Sequence, residues 1–253
     1  MQGRQTGQLE VATKRSVMDV VTETDAAAER LIVARIRDEF PDDAILGEEG
    51  ASFQGTSGRR WIVDPLDGTA NFIHGWRVSA VSIGVEIEGV FSVGVVFNPF
   101  HDEMFTGAIG AGAHLNGERL HLTDSPVPWG QAYVGVDGGY DPAVRAQRSE
   151  VIRRLILEAG DVRIIGSTAL ALSYLAAGRF DAHSNIGSSI WDIAAGTVIA
   201  REAGYVVEGL APGSEPTAER CLSARPELLD RLRAVVTQVC RASVLQPVCD
   251  AEG

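Results

Sequence analysis

The chain has 253 residues, 45% hydrophobic and 22% charged, a balance that suits one large globular domain or two modest ones and argues against extensive disorder. Its formal net charge of -12 argues against general nucleic-acid binding, because phosphate backbones are held by Lys and Arg. Cys221, Cys240 and Cys249 show no CxxC spacing, which disfavours a disulfide framework or a thiolate metal site and points to a reducing, cytoplasmic setting. The N-terminal stretch MQGRQTGQLEVATKR lacks an apolar core of signal-peptide length, and no run of about 18 apolar residues predicts a membrane span.

Residues 24–40 predict a helix with Ala28, Leu31, Ile32, Ile36 and Phe40 on one face, Thr24 as its cap and Pro41 as its stop. ILGEEG (45–50) follows, a short apolar run closing on two glutamates. RRWIVDP (59–65) reads as a buried strand. Strand alternation then runs through Val81, Ile83, Val85 and Ile87, turns at Glu88-Gly89, and returns through Phe91, Val93, Val95 and Phe97. GAIGAGAHLNGERL (107–120) predicts two more short strands about Asn116-Gly117.

From about 130 to 210 helix and strand signals alternate. VRAQRSEVIRRLILEAG (144–160) is an amphipathic helix that stops at Gly160. Residues 167–177 predict a helix with Ser167 as N-cap and Gly178 past its end, and 192–203 another, closed by Gly204. Residues 241–253 carry no pattern and are expected to be a loosely ordered tail. An antiparallel half (about 1–128) followed by an α/β half (about 129–240) predicts layers of helices and sheets.

Six carboxylates sit at element ends, beside Gly, Thr, Pro or Trp, rather than on solvated helix faces: Asp25, Glu48, Glu49, Asp64, Asp67 and Asp192. Carboxylates brought together in a partly buried place repel unless a cation joins them. Hard oxygen donors favour Mg²⁺, and no Cys/His cluster argues for zinc. In DPLDGT, Pro65 turns the chain after the strand, which can aim Asp64, Asp67 and the Leu66 carbonyl at one place. Gly68 and Thr69 open a short helix whose free N–H groups suit a phosphate. Taken alone, Asp-Pro-Leu-Asp-Gly reads as an ordinary surface turn before it reads as a ligand set.

GEE at 47–49, WIVDPLDGTANF at 61–72 and WDIAAGTVIAREAG at 191–204 resemble the signature regions of the inositol monophosphatase family, in order and at family-like spacing. KRSVMDVVTETD at 14–25, SAVSIGVEIEGVFSVGVVFNP at 79–99 and GST at 166–168 also fit, so the resemblance covers about residues 11–235. It implies an α/β fold, a layered αβαβα sandwich of the inositol monophosphatase and fructose-1,6-bisphosphatase type, in one domain over 1–240. It also implies a homodimeric, lithium-sensitive, Mg²⁺-dependent phosphomonoesterase with two or three Mg²⁺ per active site, working by metal-activated water.

Carried over by position, the resemblance implies Glu48, Asp64, the Leu66 carbonyl, Asp67 and Asp192 as metal ligands. Glu48 and Thr69 would orient the water, with Asp25 bonded to Thr69. Gly68 and Thr69 N–H groups would hold the phosphate. Asp67, Gly166, Ser167, Thr168 and Asn185 would meet the substrate, with Lys14, Glu49 and His74 behind them. His101, His114, His121 and His183 show no ligand spacing, and Trp191 is expected to pack beneath Asp192.

Position 185 departs from the family's inositol-binding members, which carry glutamate seven residues before the Trp-Asp aspartate. Asn185 can still bind a hydroxyl, but without charge. The expected substrate is therefore either inositol phosphate or another small ester: fructose 1,6-bisphosphate, histidinol phosphate, a 3′-phosphoadenosine nucleotide or a specialised sugar or nucleoside phosphate. No nucleic-acid polymer or membrane partner is expected. The family's long first helix is mostly absent ahead of Lys14, and Arg77 stands where proline is common.

Two rival readings compete. Haloacid-dehalogenase-type phosphatases use Asp-x-Asp, whereas Pro65 and Leu66 put two residues between Asp64 and Asp67. A metal-binding regulator without activity would not need Thr69 or Asp25.

Overall fold

A computed structural model describes residues 11–13 and 20–245, with side chains from 23 to 241. Val11–Thr13 (β1) pairs with Val20–Thr22 (β2), and helix Glu23–Glu39 (α1) follows. Next come Ala44–Gly47 (β3), Ser52–Phe53 (β4), Arg59–Asp67 (β5) and the short helix Thr69–Ile73 (α2). Ala80–Ile87 (β6), Val90–Asn98 (β7), Glu103–Ala108 (β8), Gly112–Leu115 (β9) and Glu118–Leu120 (β10) complete this half. The second half runs Tyr133–Gly138 (β11), Pro142–Glu158 (α3), Asp161–Arg163 (β12), Thr168–Ala176 (α4), Ala182–Ile186 (β13) and Ile190–Glu202 (α5). Val206–Glu208 (β14), Arg220–Ala224 (β15) and Pro226–Leu245 (α6) end it.

Strands β3 to β10 form an eight-stranded sheet in the order β10-β9-β8-β7-β6-β5-β3-β4. Only β3 and β5 pair in parallel in it. The two hairpin turns foreseen from sequence have positive φ at both central residues: 50° and 85° at Glu88-Gly89, 51° and 84° at Asn116-Gly117. That backbone matches the twist of the flanking strands. The second sheet, β12-β11-β13-β15-β14, has β11 parallel to both its neighbours and β15 antiparallel to both of its own.

Register fixes which faces meet. Val63 and Ile83 pair across β5 and β6 and point to α1, where Val33, Ile36 and Ile45 complete a small core. The neighbouring row, Ile62, Gly84, Gly94 and Gly107, points to the other face, because successive strand residues alternate. Helix α5 lies on that row. A Cβ at Gly84 would come within 2.9 Å of Ala194, at Gly94 within 2.2 Å of the Ala195 carbonyl oxygen, and at Gly107 within 2.9 Å of Ile199 Cα. Behind α5, α4 packs on the five-stranded sheet, whose far face carries α3 and α6. The order is helix, sheet, helix, sheet, helix, as the resemblance implied.

Several boundaries differ from the sequence expectation. α1 begins at Glu23, so Thr24 lies inside it instead of capping it. Its buried face is Asp25, Glu29, Val33 and Ile36, while Leu31 is 74% exposed. Two carboxylates on the inward face defeat a purely apolar pattern. β8 was hidden because Glu103, Thr106 and Gly107 blur its alternation. α5 starts two residues before Asp192. α6 continues to Leu245, past the expected start of the tail at 241.

The glycine row makes a direct prediction. Gly94→Ala forces a methyl against the α5 backbone and is expected to cost about 2 kcal/mol, roughly 5 °C in melting temperature for a chain of this size. Gly130→Ala, where no atom lies within 4 Å of the new Cβ, is the control and should melt near wild type. Equal melting temperatures for the two variants would contradict the close-packing account.

Candidate active site

The site begins where β5 stops being regular. Asp64 pairs with Ser82 and Asp67 with Ala80, so β5 spends one more residue than β6 over this step. In a regular strand, residues three apart point to opposite faces. The extra residue of the bulge turns Asp64 and Asp67 towards the same side. Pro65 fits there because the interrupted ladder needs no donor from it. Asp64 Oδ1 accepts the Leu66 N–H at 2.9 Å, which closes the turn.

Asp192 arrives from the middle helix layer. Its Oδ2 accepts the Ser189 N–H at 2.7 Å, tying the carboxylate to the start of α5. Ser82 Oγ donates to the Trp191 carbonyl at 3.2 Å, which ties α5 to the strand beside β5. The carboxylates of Asp64, Asp67 and Asp192 each place an oxygen within 4.8 Å of the others.

Glu48 follows β3, and its N–H bonds the Val63 carbonyl at 3.1 Å. The loop after it is clamped by buried Glu29, whose carboxylate accepts the Glu49 N–H at 2.8 Å and the Ala51 N–H at 2.9 Å. The Glu48 charge is near enough to Asp64 to raise its carboxyl. Asp67 Oδ2 accepts Ser167 Oγ at 2.5 Å and the Ala169 N–H at 2.8 Å, at the start of α4. Gly68 (φ 90°) lets α2 begin immediately after β5. Thr69 Oγ1 lies 3.0 Å from Asp25 Oδ1 and 3.0 Å from the Leu66 carbonyl oxygen. A hydroxyl has one proton, so whichever acceptor takes it, the Thr69 oxygen keeps lone pairs to offer.

These groups line a cavity of about 500 Å³. Glu48, Asp64, Leu66, Asp67, Thr69 and Asp192 form one end, with Gly68 and Ala70 from the start of α2. Gly166, Thr168, Ser188, Asp137 and Arg148 line the cavity as well. Burial, followed by the charges of Glu48, Asp67 and Asp192, pushes the Asp64 carboxyl well above its ordinary value. Burial and then Asp192 push Asp67 up, against the pull of Ser167 and Ala169. Burial is also the main cause for Asp192, pushed up to about 6, with Glu48 adding to it and the Ser189 N–H opposing. A cluster that holds protons this strongly in the absence of a cation is one that a cation would deprotonate. The donors are all hard oxygens, which fits Mg²⁺ and not a thiolate or imidazole metal.

Not every expected residue reaches the cavity. Asp25 is fully buried behind Thr69. Ser167 lies behind Asp67, spent on its carboxylate, and does not line the cavity. Asn185 is fully buried, its amide donating to Ser188 Oγ (2.5 Å) and accepting from Thr168 Oγ1 (3.4 Å), and it does not line the cavity. His74 is exposed and sits at the end of α2, its Nδ1 2.7 Å from the Ala70 carbonyl, away from the cavity. Glu49 does not line the cavity either. Lys14 lies outside the residues whose side chains are described. Trp191 lines the cavity beside Asp192, so it does more than pack beneath it. Asp137 and Glu29 were missed. Asp137 carries part of the signal of Asp64, an aspartate closing an apolar run, here before Gly138 instead of a proline; Glu29 gave none.

The profile of the inositol monophosphatase family matches residues 1–243. Nus factor SuhB of Vibrio cholerae is 39% identical over 208 residues, 80% of this chain and 76% of that protein. Human inositol monophosphatase 2 is 39% identical over 203 residues, 78% of this chain and 70% of that protein. The crystal structure of the extragenic suppressor protein SuhB from Bartonella henselae superposes with a TM-score of 0.85 at 32% identity, covering 91% of this chain and 89% of that one.

A folded-state carboxyl value above the unfolded one means that the metal-free fold holds protons the unfolded chain releases. For Asp192 that window runs from 3.8 to about 6. As pH rises through it, charging destabilises the metal-free fold, and the penalty is complete above it. Mg²⁺ is therefore expected to raise the melting temperature more at pH 8 than at pH 5. An equal or smaller rise at pH 8, measured by scanning calorimetry, would count against a cation among these carboxylates.

Proposed function

The chain belongs to the inositol monophosphatase family, and from that premise we propose that it is a Mg²⁺-dependent phosphatase of a small phosphate monoester. The observation that carries this reading is the meeting of Asp64, Asp67 and Asp192, from two different elements, at the end of one cavity. Both halves of the chain supply these carboxylates, which supports one catalytic domain over about 1–240.

Glu48, Asp64, Asp67, Asp192 and the Leu66 carbonyl would hold two or three Mg²⁺. When bound, Mg²⁺ supplies charge neutralisation for the phosphoryl oxygens and lowers the pKa of a water. The chain's own residues do the positioning. The Thr69 hydroxyl, its proton directed at Asp25 or the Leu66 carbonyl, presents an oxygen lone pair to a water in the cavity. Glu48 accepts from the same water on the other side. N–H groups in the first turn of α2 have no intrahelical partner, and those of Gly68 and Thr69 hold the phosphoryl oxygens. As the water oxygen bonds phosphorus its proton passes to solvent, the ester P–O bond breaks, and the leaving alcohol departs with a proton from solvent. Water enters as inorganic phosphate leaves, and no covalent phospho-enzyme is required.

The substrate is a small polyol or sugar phosphate in this reading. Inositol phosphate heads the panel, with fructose 1,6-bisphosphate, histidinol phosphate and 3′-phosphoadenosine nucleotides as the alternatives to be compared. Homodimer formation and lithium sensitivity belong to the same proposal through family membership. A cytoplasmic setting is supported by the free thiols of Cys221 and Cys240. Among the described residues, no helix is long and apolar enough to cross a membrane.

The relatives' names divide between inositol monophosphatase and Nus factor. The Asp25–Thr69 hydrogen bond favours catalysis, since a binding surface has no use for a buried carboxylate aligning a hydroxyl at a carboxylate cluster.

Asp67→Asn keeps an oxygen for Ser167 and the Ala169 N–H, and Asp192→Asn keeps one for the Ser189 N–H. Each is expected to fold, with circular dichroism like wild type, and to lower Mg²⁺-dependent phosphate release roughly 10³-fold or more. Near-wild-type turnover in either variant would remove the site assignment.

A further inference from the structure

Asp137 is the penultimate residue of β11, in the stretch VGVDGGYD, and the sheet register sets it directly beside Asn185 on β13. Paired residues on neighbouring strands point to the same face. Asn185 is shut behind Thr168 and Ser188, but Asp137 lines the cavity although it is only 3% exposed. Its placement is firm. Oδ1 accepts the Gly166 N–H at 2.8 Å, and Oδ2 lies 3.3 Å from Nε2 of fully buried His183. Nδ1 of His183 is buried without a partner, so the ring proton belongs on Nε2, against Asp137.

Among the described residues, no Lys or Arg pairs with Asp137. Arg148, the cation in the cavity wall, donates to the Gly138 carbonyl at 2.7 Å. A carboxylate accepts about four hydrogen bonds. The two named donors use part of that capacity, which leaves acceptor sites for a ligand in the cavity that Asp137 lines. Gly138 and Gly139, which follow it in the lining, carry no side chain. A Cβ at Gly138 would lie 2.1 Å from the Ile186 carbonyl oxygen, and one at Gly139 1.9 Å from that of Gly187. A bulky leaving group can therefore approach Asp137 without meeting side chains from these two residues.

Resting on the phosphatase reading above, we propose that Asp137 is a specificity-determining residue that accepts a hydrogen bond from a hydroxyl of the leaving group. It favours an uncharged, hydroxylated leaving group such as a cyclic polyol. It disfavours one bearing a second phosphate, whose charge the carboxylate repels.

The test compares kcat/KM, with Mg²⁺, for wild type and Asp137→Asn on myo-inositol 1-phosphate, its deoxy analogues and para-nitrophenyl phosphate. The ratio of inositol phosphate to para-nitrophenyl phosphate should fall on the order of 10- to 100-fold in the variant, the effect of losing a hydrogen bond to a charged acceptor. One deoxy analogue should lose the same factor with wild type and little more with the variant. An unchanged ratio means that Asp137 only supports the Gly166 loop, and overturns the proposal. No Mg²⁺-dependent release by wild type from any ester is a different result, which removes the phosphatase reading and this inference with it. Should Asp137→Asn fail to fold, a crystal structure of wild type with inositol 1-phosphate decides. A hydroxyl within about 3.2 Å of the Asp137 carboxylate supports the proposal, and none there overturns it.

Discussion

Mutual repulsion among buried carboxylates is the constraint on which the rest of this structure depends. Asp64, Asp67 and Asp192 are pushed together in one cavity, with the Glu48 charge beside Asp64. Burial and their shared charge raise all three above their ordinary values. A fold does not keep such an arrangement by accident, because each uncompensated buried charge costs several kcal/mol, about the size of a domain's net stability. The surrounding contacts offset that cost in part. The Leu66 N–H serves Asp64, Ser167 and the Ala169 N–H serve Asp67, and the Ser189 N–H serves Asp192. What they leave unbalanced is net negative charge, and a divalent cation is the simplest group that balances it.

The scaffold explains how residues far apart in sequence reach that point. The β5 bulge aligns Asp64 with Asp67. The glycine row of β6, β7 and β8 lets α5 settle on the sheet, which carries Asp192 to the same place. Glu29, a charge on the inward face of α1, holds the loop beyond Glu48 by two backbone N–H groups. Asp25, one turn earlier on the same helix, holds Thr69. Thus α1 contributes to the site mainly through two buried carboxylates, and its apolar contacts with β3 and β5 keep them there.

Much of this was legible in the sequence, for identifiable reasons. Strand alternation and Glu88-Gly89 gave the β6–β7 hairpin, and Ser167 and Gly178 bracketed α4. DPLDGT carried both a turn signal and a ligand signal, and its partner WDIAAG resolved which mattered. Other features have no local signature. The inward face of α1 is read wrongly by apolar periodicity because Asp25 and Glu29 serve as acceptors in the interior. The burial of Asn185 depends on Ser188 and Thr168 closing over it, a tertiary contact that spacing does not encode. Asp137 was legible in principle, as an element-end aspartate before Gly-Gly, but its proximity to the cluster comes only from the pairing of β11 with β13.

The central claim is that these carboxylates exist in this geometry to hold divalent cations. It is tested most directly by anomalous diffraction from crystals grown with Mn²⁺ standing in for Mg²⁺. An anomalous peak is expected within coordination distance of oxygens from Asp64, Asp67 and Asp192 together. Crystals that show no peak at saturating Mn²⁺, with the three carboxyls hydrogen-bonded to one another through retained protons, would contradict it.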